Sequence, residues 1–368
     1  MDYPKFGKAV PPQEKSSFII GVEFDIRRYH QASGDMWPIT WGADDNLYGG
    51  AGDNRKSPMN FWRISGGPDP ERKCHQIDWI VDLVDNLPMD PAIYCTDPRV
   101  HHTMGIKPAG LLDIDGILYF AVETQNYGSD PEFNRQTNIN GWIITTTDYG
   151  KTWNREATPV DFFSGRLASC HFIQFGRGYE GSRDEYVYAH FPSADDGKSY
   201  WENGDYILLG RVHKDNILVR NQWEFYTGLN SSNEPQWNKD DCLAVPVFHY
   251  NRMTGENHVS YNKGINRYIM GNYGFIDDHL NPRPYHQEKW PETAYRSQLT
   301  LYEASEPWGP WSLFYQDDDW GTYGDYQPNF PPKWMSEDGK TMYMVSSGTY
   351  DDYNFTVQKL TVTLKDDE

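Results

Sequence analysis

The sequence predicts an all-β protein folded as a five-bladed β-propeller, and three observations lead there. Helical periodicity is almost absent, while 32 Gly and 24 Pro punctuate short alternating apolar runs, the pattern of strands and tight turns. One grammar recurs five times: an apolar strand, a turn rich in Asp, Gly or Asn, then a strand containing Tyr. Its instances are 38–53, 108–123, 171–191, 259–274 and 332–348, with starts 70, 63, 88 and 73 residues apart. That spacing fits one four-stranded blade per repeat, and five units account for all 368 residues. Residues 1–368 are therefore expected to form a single domain, preceded within it by a short arm over about the first 16 residues.

The first repeat carries the segment DMWPITWGADDNLYGGAGD (35–53). Asp44, Asp45 and Asn46 read as a tight turn between two β-rich arms, which places position 35 opposite position 53 within about two residues. Asp35 and Asp53 would then share one end of one hairpin. Opposed side chains across an antiparallel pair have Cβ atoms roughly 4.5–5.5 Å apart and diagonal ones about 7–8 Å, which overlaps the carboxyl separations that glycosidases use. The plain alternative is that Asp35 caps a turn and Asp53 follows a strand.

If each repeat begins with the innermost strand at the face where the channel opens, the same rule nominates a residue set from every blade. It selects His101, His102 and Lys107 ahead of the second repeat and Glu123 after it. Ser169 and His171 stand at the third, Asn272 and Tyr273 after the fourth, and Gln327 and Asn329 ahead of the fifth. Converging from five blades, they read as a polar pocket, with Trp37 or Trp62 as a stacking platform for a sugar ring and Lys107, Glu123 and Asn272 as partners for its hydroxyls. In the second repeat's outer half, Thr146-Thr147-Asp148-Tyr149-Gly150-Lys151-Thr152-Trp153 fits the Asp-box pattern S/T-x-D-x-G-x-T-W and is read as a structural turn. In the fourth, Trp308-Gly309-Pro310-Trp311 follows the strand 297–304 and is read as indole packing on an outer connection.

Composition bounds the partners. A formal charge of −20 disfavours nucleic acid and anionic membrane surfaces, which need clustered Lys and Arg. With 14 Trp and 26 Tyr in a chain of mean hydropathy −0.78, carbohydrate is the leading partner, although aromatic β-core packing accounts for most of those rings. No run of 18 apolar residues is present, so no membrane span is expected, and MDYPKFGKAVPPQEK lacks an apolar signal core. A secreted or periplasmic location is expected only with a signal already removed. Cys74, Cys95, Cys170 and Cys242 form no CxxC pair, which argues against structural zinc or thioredoxin-type chemistry and leaves disulfides and buried thiols both open. Asn230 and Asn354 begin glycosylation sequons. No cofactor is expected; a structural Ca²⁺ or other cation in the channel stays open, without support from a contiguous DxDxDG loop.

At GDMWPITWGADDNLYGGAGDN the sequence resembles the domain-of-unknown-function 4185 family, whose motif runs D-x-W-P-x-T-W-A-x-D-x-x-L-Y, then small residues and G-D. Further likeness lies in IKPAGLLDIDGILYF (106–120), TTDYGKTW, QWEFYTG (222–228), EASEPWGPWSLFY (303–315) and PPKWMSEDGKTMYMVSSG (331–348), so it spans nearly the whole chain. That family includes the endo-D-arabinanases of glycoside hydrolase family 183, five-bladed propellers that cut α-D-arabinofuranosyl linkages in mycobacterial arabinogalactan and lipoarabinomannan. The resemblance implies that Asp35 and Asp53, at the motif's two acidic positions, form the catalytic pair. Gly49-Gly50-Ala51 stands where relatives often have bulkier residues, which implies a different subsite shape.

Glycoside hydrolysis needs one protonated carboxyl and one ionised one. Met36 and Trp37 after Asp35 predict an apolar setting and an acid; Asn54 and Arg55 after Asp53 predict an ionised base. Two other readings stay open. A polysaccharide lyase would draw on His101, His102, Tyr127 and Arg63 or Arg99, though a polyuronate would meet a strongly acidic chain. A non-catalytic sugar-binding propeller would have no chemical need for both acids.

Overall fold

The computed structural model describes residues 7–26, 28–54, 57–68, 76–82, 104–126, 137–283, 296–320, 325–347 and 354–367. For 28–33, 53–54, 57–59, 76–82, 104–105, 126 and 354 it describes the backbone alone. Two strands come first, β1 (Ile19–Phe24) and β2 (Arg28–Ser33). Blade one comprises β3 (Asp35–Trp41), β4 (Leu47–Asn54), β5 (Ser57–Ser65) and β6 (Gln76–Asp82). Blade two comprises β7 (Met104–Ile114), β8 (Ile117–Asn126), β9 (Thr137–Thr146) and β10 (Phe163–Ser164). Blade three runs β11 (His171–Phe172), β12 (Tyr186–Ser193), β14 (Gly204–His213), β15 (Glu224–Leu229) and β16 (Pro235–Asn238), with β17 (Phe248–Thr254) also on β14. The short β13 (Ser199–Tyr200) reaches back to pair with β9. Blade four is β18 (His258–Asn262), β19 (Arg267–Ile276), β20 (Arg296–Ala304) and β21 (Ser312–Asp317). Blade five is β22 (Tyr326–Asn329), β23 (Thr341–Ser347) and β24 (Asn354–Leu364).

The five sheets are antiparallel and follow one another around a ring: β3 packs beside β7, β7 beside β11, β11 beside β18, β18 beside β22, and β22 beside β3. The expected five-bladed propeller is the fold. Closure comes from the start of the chain, because β1 and β2 both pair with β24 and complete the last blade, leaving it no open seam. Ahead of them the N-terminal arm lies along blade four, where the Ala9 N–H donates to Leu280 O at 2.8 Å and the Ser16 N–H to Leu313 O at 2.7 Å.

Local chemistry explains the hairpins. Between β7 and β8, Asp115 (φ 51°) and Gly116 (φ 87°) make the left-handed two-residue turn that matches strand twist. Between β3 and β4 the Asp44 carboxylate accepts from the Asn46 N–H at 3.1 Å, as the Asp-rich turn requires. The repeats are not identical units, however. Blade three's extra strands account for the 88-residue spacing, and the fifth inner strand is Tyr326–Asn329 rather than a run starting at 332. Pro331 and Pro332 offer no N–H to a ladder, and Pro332–Trp334 form a 3₁₀ turn instead. Gln327 and Asn329 therefore lie within the inner strand, not ahead of it.

Among the described residues many aromatic rings pack between blades. Phe61 of blade one meets Phe120 of blade two at 5.9 Å, and Trp201 meets Tyr326 of blade five at 5.4 Å, both as ring-centroid distances. Gly50 lies against the same seam, where an added Cβ would come within 2.9 Å of Pro108 and overlap Phe120. Gly50 thus serves blade packing. Trp308 stacks on Tyr226 of blade three, as the indole-packing reading anticipates.

The Asp box is a turn. Asp148 accepts from the Thr152 N–H at 2.9 Å, Thr152 Oγ1 at 2.7 Å and Thr146 Oγ1 at 2.7 Å, and these bonds, those of Thr152 foremost, hold its carboxyl down at about 2. Trp153 then stands edge-on to Phe61, 5.0 Å away. Asp148→Ala should cost about 0.5–2 kcal/mol, the range of a lost cap, read as a lower urea midpoint with unchanged slope; an unaltered midpoint would refute the turn's role.

Candidate active site

The inner strands bring one polar cluster together at the end where they begin. Asp35 is the first residue of β3 and is buried, 6% exposed. Its register partner on β4 is Gly52, so Asp53 stands one position beyond, within the two-residue window expected from the turn. The backbone of Asp53 is described, its side chain is not. Met36 (φ 77°) and Trp37 (φ 52°) both occupy the left-handed region, where a bulky residue is an outlier, and the ladder slips between Met36 and Ile39. Surrounding bonds hold this bulge: the Met36 N–H donates to Ser347 Oγ at 2.7 Å, the Trp37 indole to Gly34 O at 3.0 Å, and Asn329 Nδ2 to Trp37 O at 3.3 Å.

The bulge sends Met36 and Trp37 into the core and leaves the Asp35 carboxylate among polar groups. Tyr326 of β22 donates its hydroxyl to Oδ2 at 2.8 Å, and Lys107 Nζ of β7 lies 3.6 Å from Oδ1. Both contacts favour the charged carboxylate, so the apolar setting expected from Met36 and Trp37 is not what the side chain meets. Gly52 makes room for this arrangement, since a Cβ there would overlap Asp35 Oδ1 and stand 3.1 Å from Lys107 Nζ.

Behind Asp35 lies a second group of charges. Glu123 on β8 is the direct register partner of Lys107 and is fully buried. Glu256, two residues before β18, is equally buried and accepts from Asn138 Nδ2 at 2.9 Å, Ser169 Oγ at 3.1 Å and Gln327 Nε2. Ser169 Oγ also lies 2.6 Å from His171 Nε2, and the His171 ring meets His258 edge-on at 5.1 Å. Burial pushes the His171 imidazole well below its ordinary value, with His258 and His190 adding to the effect, and burial brings His258 and His190 to about 4.

Of the residues nominated from sequence, Asp35, Lys107, Glu123, His171 and Gln327 meet in this cluster, with Ser169 beside them. The others stand elsewhere. Trp37 and Trp62 pack on each other at 6.0 Å in the core, so neither offers an open platform. Asn272 is spent on structure, donating to Met253 O at 3.0 Å and Thr300 Oγ1 at 3.1 Å and accepting from the Gly255 N–H at 3.2 Å. Tyr273 is fully buried and donates to Trp201 O at 2.5 Å. Arg63 is exposed on β5, opposite Tyr48 and toward the turn end of the blade. His101, His102, Arg99, Tyr127, Cys74 and Cys95 lie outside the described residues; Cys170 is a buried free thiol and Cys242 an exposed one. Sequence reasoning missed Glu256, His258, Asn138 and Tyr326. Glu256 and His258 are within reach of the sequence pattern, because the fourth repeat starts at Val259, one residue after the strand's first member and three after Glu256.

Among the described residues no three His, Cys, Asp or Glu side chains are grouped to hold a metal ion. A cavity of about 640 Å³ opens at the opposite end of the inner strands, lined by residues including Trp41, Phe175, Arg177, Tyr261 and Lys263, and contains none of the clustered acids.

No family model matches the sequence, and neither does any curated protein. Solved structures do. A candidate hydrolase from Bacteroides ovatus is similar with 13% identity and a TM-score of 0.52, over 90% of this chain and 86% of that one. The likeness is one of fold. The GH43_1 enzyme from Xanthomonas citri complexed with xylose aligns at 11% identity and a TM-score of 0.48 over 92% of each chain.

Gly52→Ala should push the Asp35 carboxylate away from Lys107 while the propeller persists. A crystal structure of the variant with Asp35 unmoved would contradict the close fit inferred at Gly52.

Proposed function

We propose that this protein is a glycoside hydrolase that cleaves α-D-arabinofuranosyl linkages in a neutral polysaccharide, with Asp35 and Asp53 as its two carboxyl groups. The observation that carries the proposal is the state of Asp35: a buried carboxylate at the start of the first inner strand, held by Lys107 and Tyr326, one register position from a second aspartate. The family resemblance at the same hairpin supports the arabinan substrate. The acidic chain favours a neutral polymer over a polyuronate.

In this reading Asp35 is the ionised member, because a cation and a phenol stabilise its charge, and it acts at the anomeric carbon directly or through water. Asp53 delivers the proton to the leaving oxygen. This reverses the roles that the neighbouring residues alone suggest. Lys107 keeps Asp35 charged, and the bulge at Met36–Trp37 keeps it aimed.

Incubation with D-arabinan, L-arabinan, arabinogalactan and polyuronate tests the reaction class. New reducing ends from D-arabinan are expected; the ultraviolet absorbance of an unsaturated uronate would instead establish a lyase, and no product from any polymer would leave a sugar-binding propeller. Asp35→Asn and Asp53→Asn should each lower kcat/KM by about 10²–10⁴-fold, with near-wild-type turnover in either excluding that residue. An aryl arabinofuranoside with a good leaving group should restore turnover to the Asp53 variant and not to the Asp35 variant; the opposite pattern would exchange the two roles.

A further inference from the structure

Glu123 and Glu256 come from different blades, yet their carboxyl groups lie within hydrogen-bonding reach of each other in the closed interior of the ring. The two are not equivalent. Glu256 is the acceptor of three side-chain donors, Asn138 and Ser169 at Oε1 and Gln327 at Oε2, which leaves Oε2 able to accept one more. Glu123 accepts at Oε1 from Gln125 Nε2 at 3.1 Å and feels the Ser169 hydroxyl that bonds Glu256, while its Oε2 has no well-formed hydrogen bond among the described residues. A buried carboxylate oxygen without a donor that faces a second carboxylate is strongly unfavourable. A proton on that oxygen converts the repulsion into a charge-assisted hydrogen bond.

We propose that Glu123 and Glu256 share one proton, carried on Glu123 and donated to Glu256, and that this proton makes the pair a positioning device for Asp35 acting through Lys107. The second half of the proposal rests on the glycosidase reading; the first does not. Lys107 is the register partner of Glu123 across the β7–β8 ladder, and its ammonium lies 3.6 Å from Asp35. With Glu123 neutral, the ammonium has Asp35 as its charged neighbour on that side. With Glu123 ionised, a second carboxylate competes for it and its support of the Asp35 charge weakens.

The groups around the pair agree with a single proton. From β3 comes Asp35, whose charge disfavours ionisation of Glu256; from β7 comes Lys107; and from the segment leading into β11 come Ser169, Cys170 and His171. His258 of β18 and Gln327 of β22 lie on the far side, with His258 neutral by burial. Tyr273 of β19 and Tyr326 of β22 are phenols, and Glu202, whose charge acts on Tyr273, pairs with Arg283 at 3.2 Å. Burial first, and the neighbouring Glu256 next, lift the Glu123 carboxyl well above its ordinary range.

Linkage gives the sign of the stability effect. Above the ordinary Glu value of about 4.3 the unfolded chain has lost this proton and the folded chain keeps it, so stability falls as pH rises until the folded group itself ionises. Glu123→Gln, a neutral isostere, removes that fall.

Three readouts on the full chain test the proposal. The infrared spectrum near neutral pH should show the carbonyl stretch of a buried protonated carboxylic acid, absent from Glu123→Gln and retained in Asp148→Ala. The melting temperature of Glu123→Gln relative to wild type should rise steadily with pH above about 4.3. Either a missing band or a pH-independent difference in melting temperature would overturn the shared proton, whether or not the protein hydrolyses any sugar. On the arabinan assay, the alkaline limb of kcat/KM should move up by about one pH unit or more in Glu123→Gln, since its neutral amide cannot ionise. An unmoved limb, with the infrared band removed, would overturn the link to Asp35.

Discussion

The site is organised by the problem of keeping charge inside a closed ring of sheets. Lys107 is a buried ammonium, and taking such an ion out of water costs several kcal/mol unless partners compensate. Asp35 lies 3.6 Å from it and Glu123 is its register partner, and the two come from different blades. The ring therefore has to close in register to bring these charges together. The hydrogen bonds at the Met36–Trp37 bulge, the space at Gly52 and the donors from Asn138, Ser169 and Gln327 all serve to fix those few groups relative to one another.

The propeller suits such a task because five inner strands start around one axis. Each contributes only one or two side chains to the polar cluster, and the remaining length of every strand is free to build apolar seams with its neighbours. Closure by β1 and β2 on β24 ties strands that precede the first blade to the outer strand of the fifth. Aromatic residues are spent chiefly on the seams. Their abundance, which in sequence suggests sugar stacking, reflects the need to fill wedge-shaped gaps between twisted sheets.

What the sequence made legible was periodic. Strand, turn and strand repeat visibly, and that repetition gave the blade number, the hairpin geometry at Asp35 and the convergence of Lys107, Glu123, His171 and Gln327. What it hid was contact between distant segments. Tyr326 touches Asp35 across 291 positions and Asn138 reaches Glu256 across 118, and neither pairing leaves a local pattern. The polarity of Asp35 was misjudged for a related reason. Met36 and Trp37 follow it in sequence but turn into the core through a left-handed bulge that no propensity predicts for those residues. Asn272 and Tyr273 were nominated by their place at a strand's end, and the structure uses both to brace backbone instead.

The most direct measurement is a crystal structure of the Asp35→Asn variant with a bound arabino-oligosaccharide. The account predicts a furanose ring at the end of the channel where β3 begins, its anomeric carbon within about 3–3.5 Å of the side chain at position 35. A ligand seated only in the cavity at the opposite end, against Trp41 and Tyr261, would contradict it.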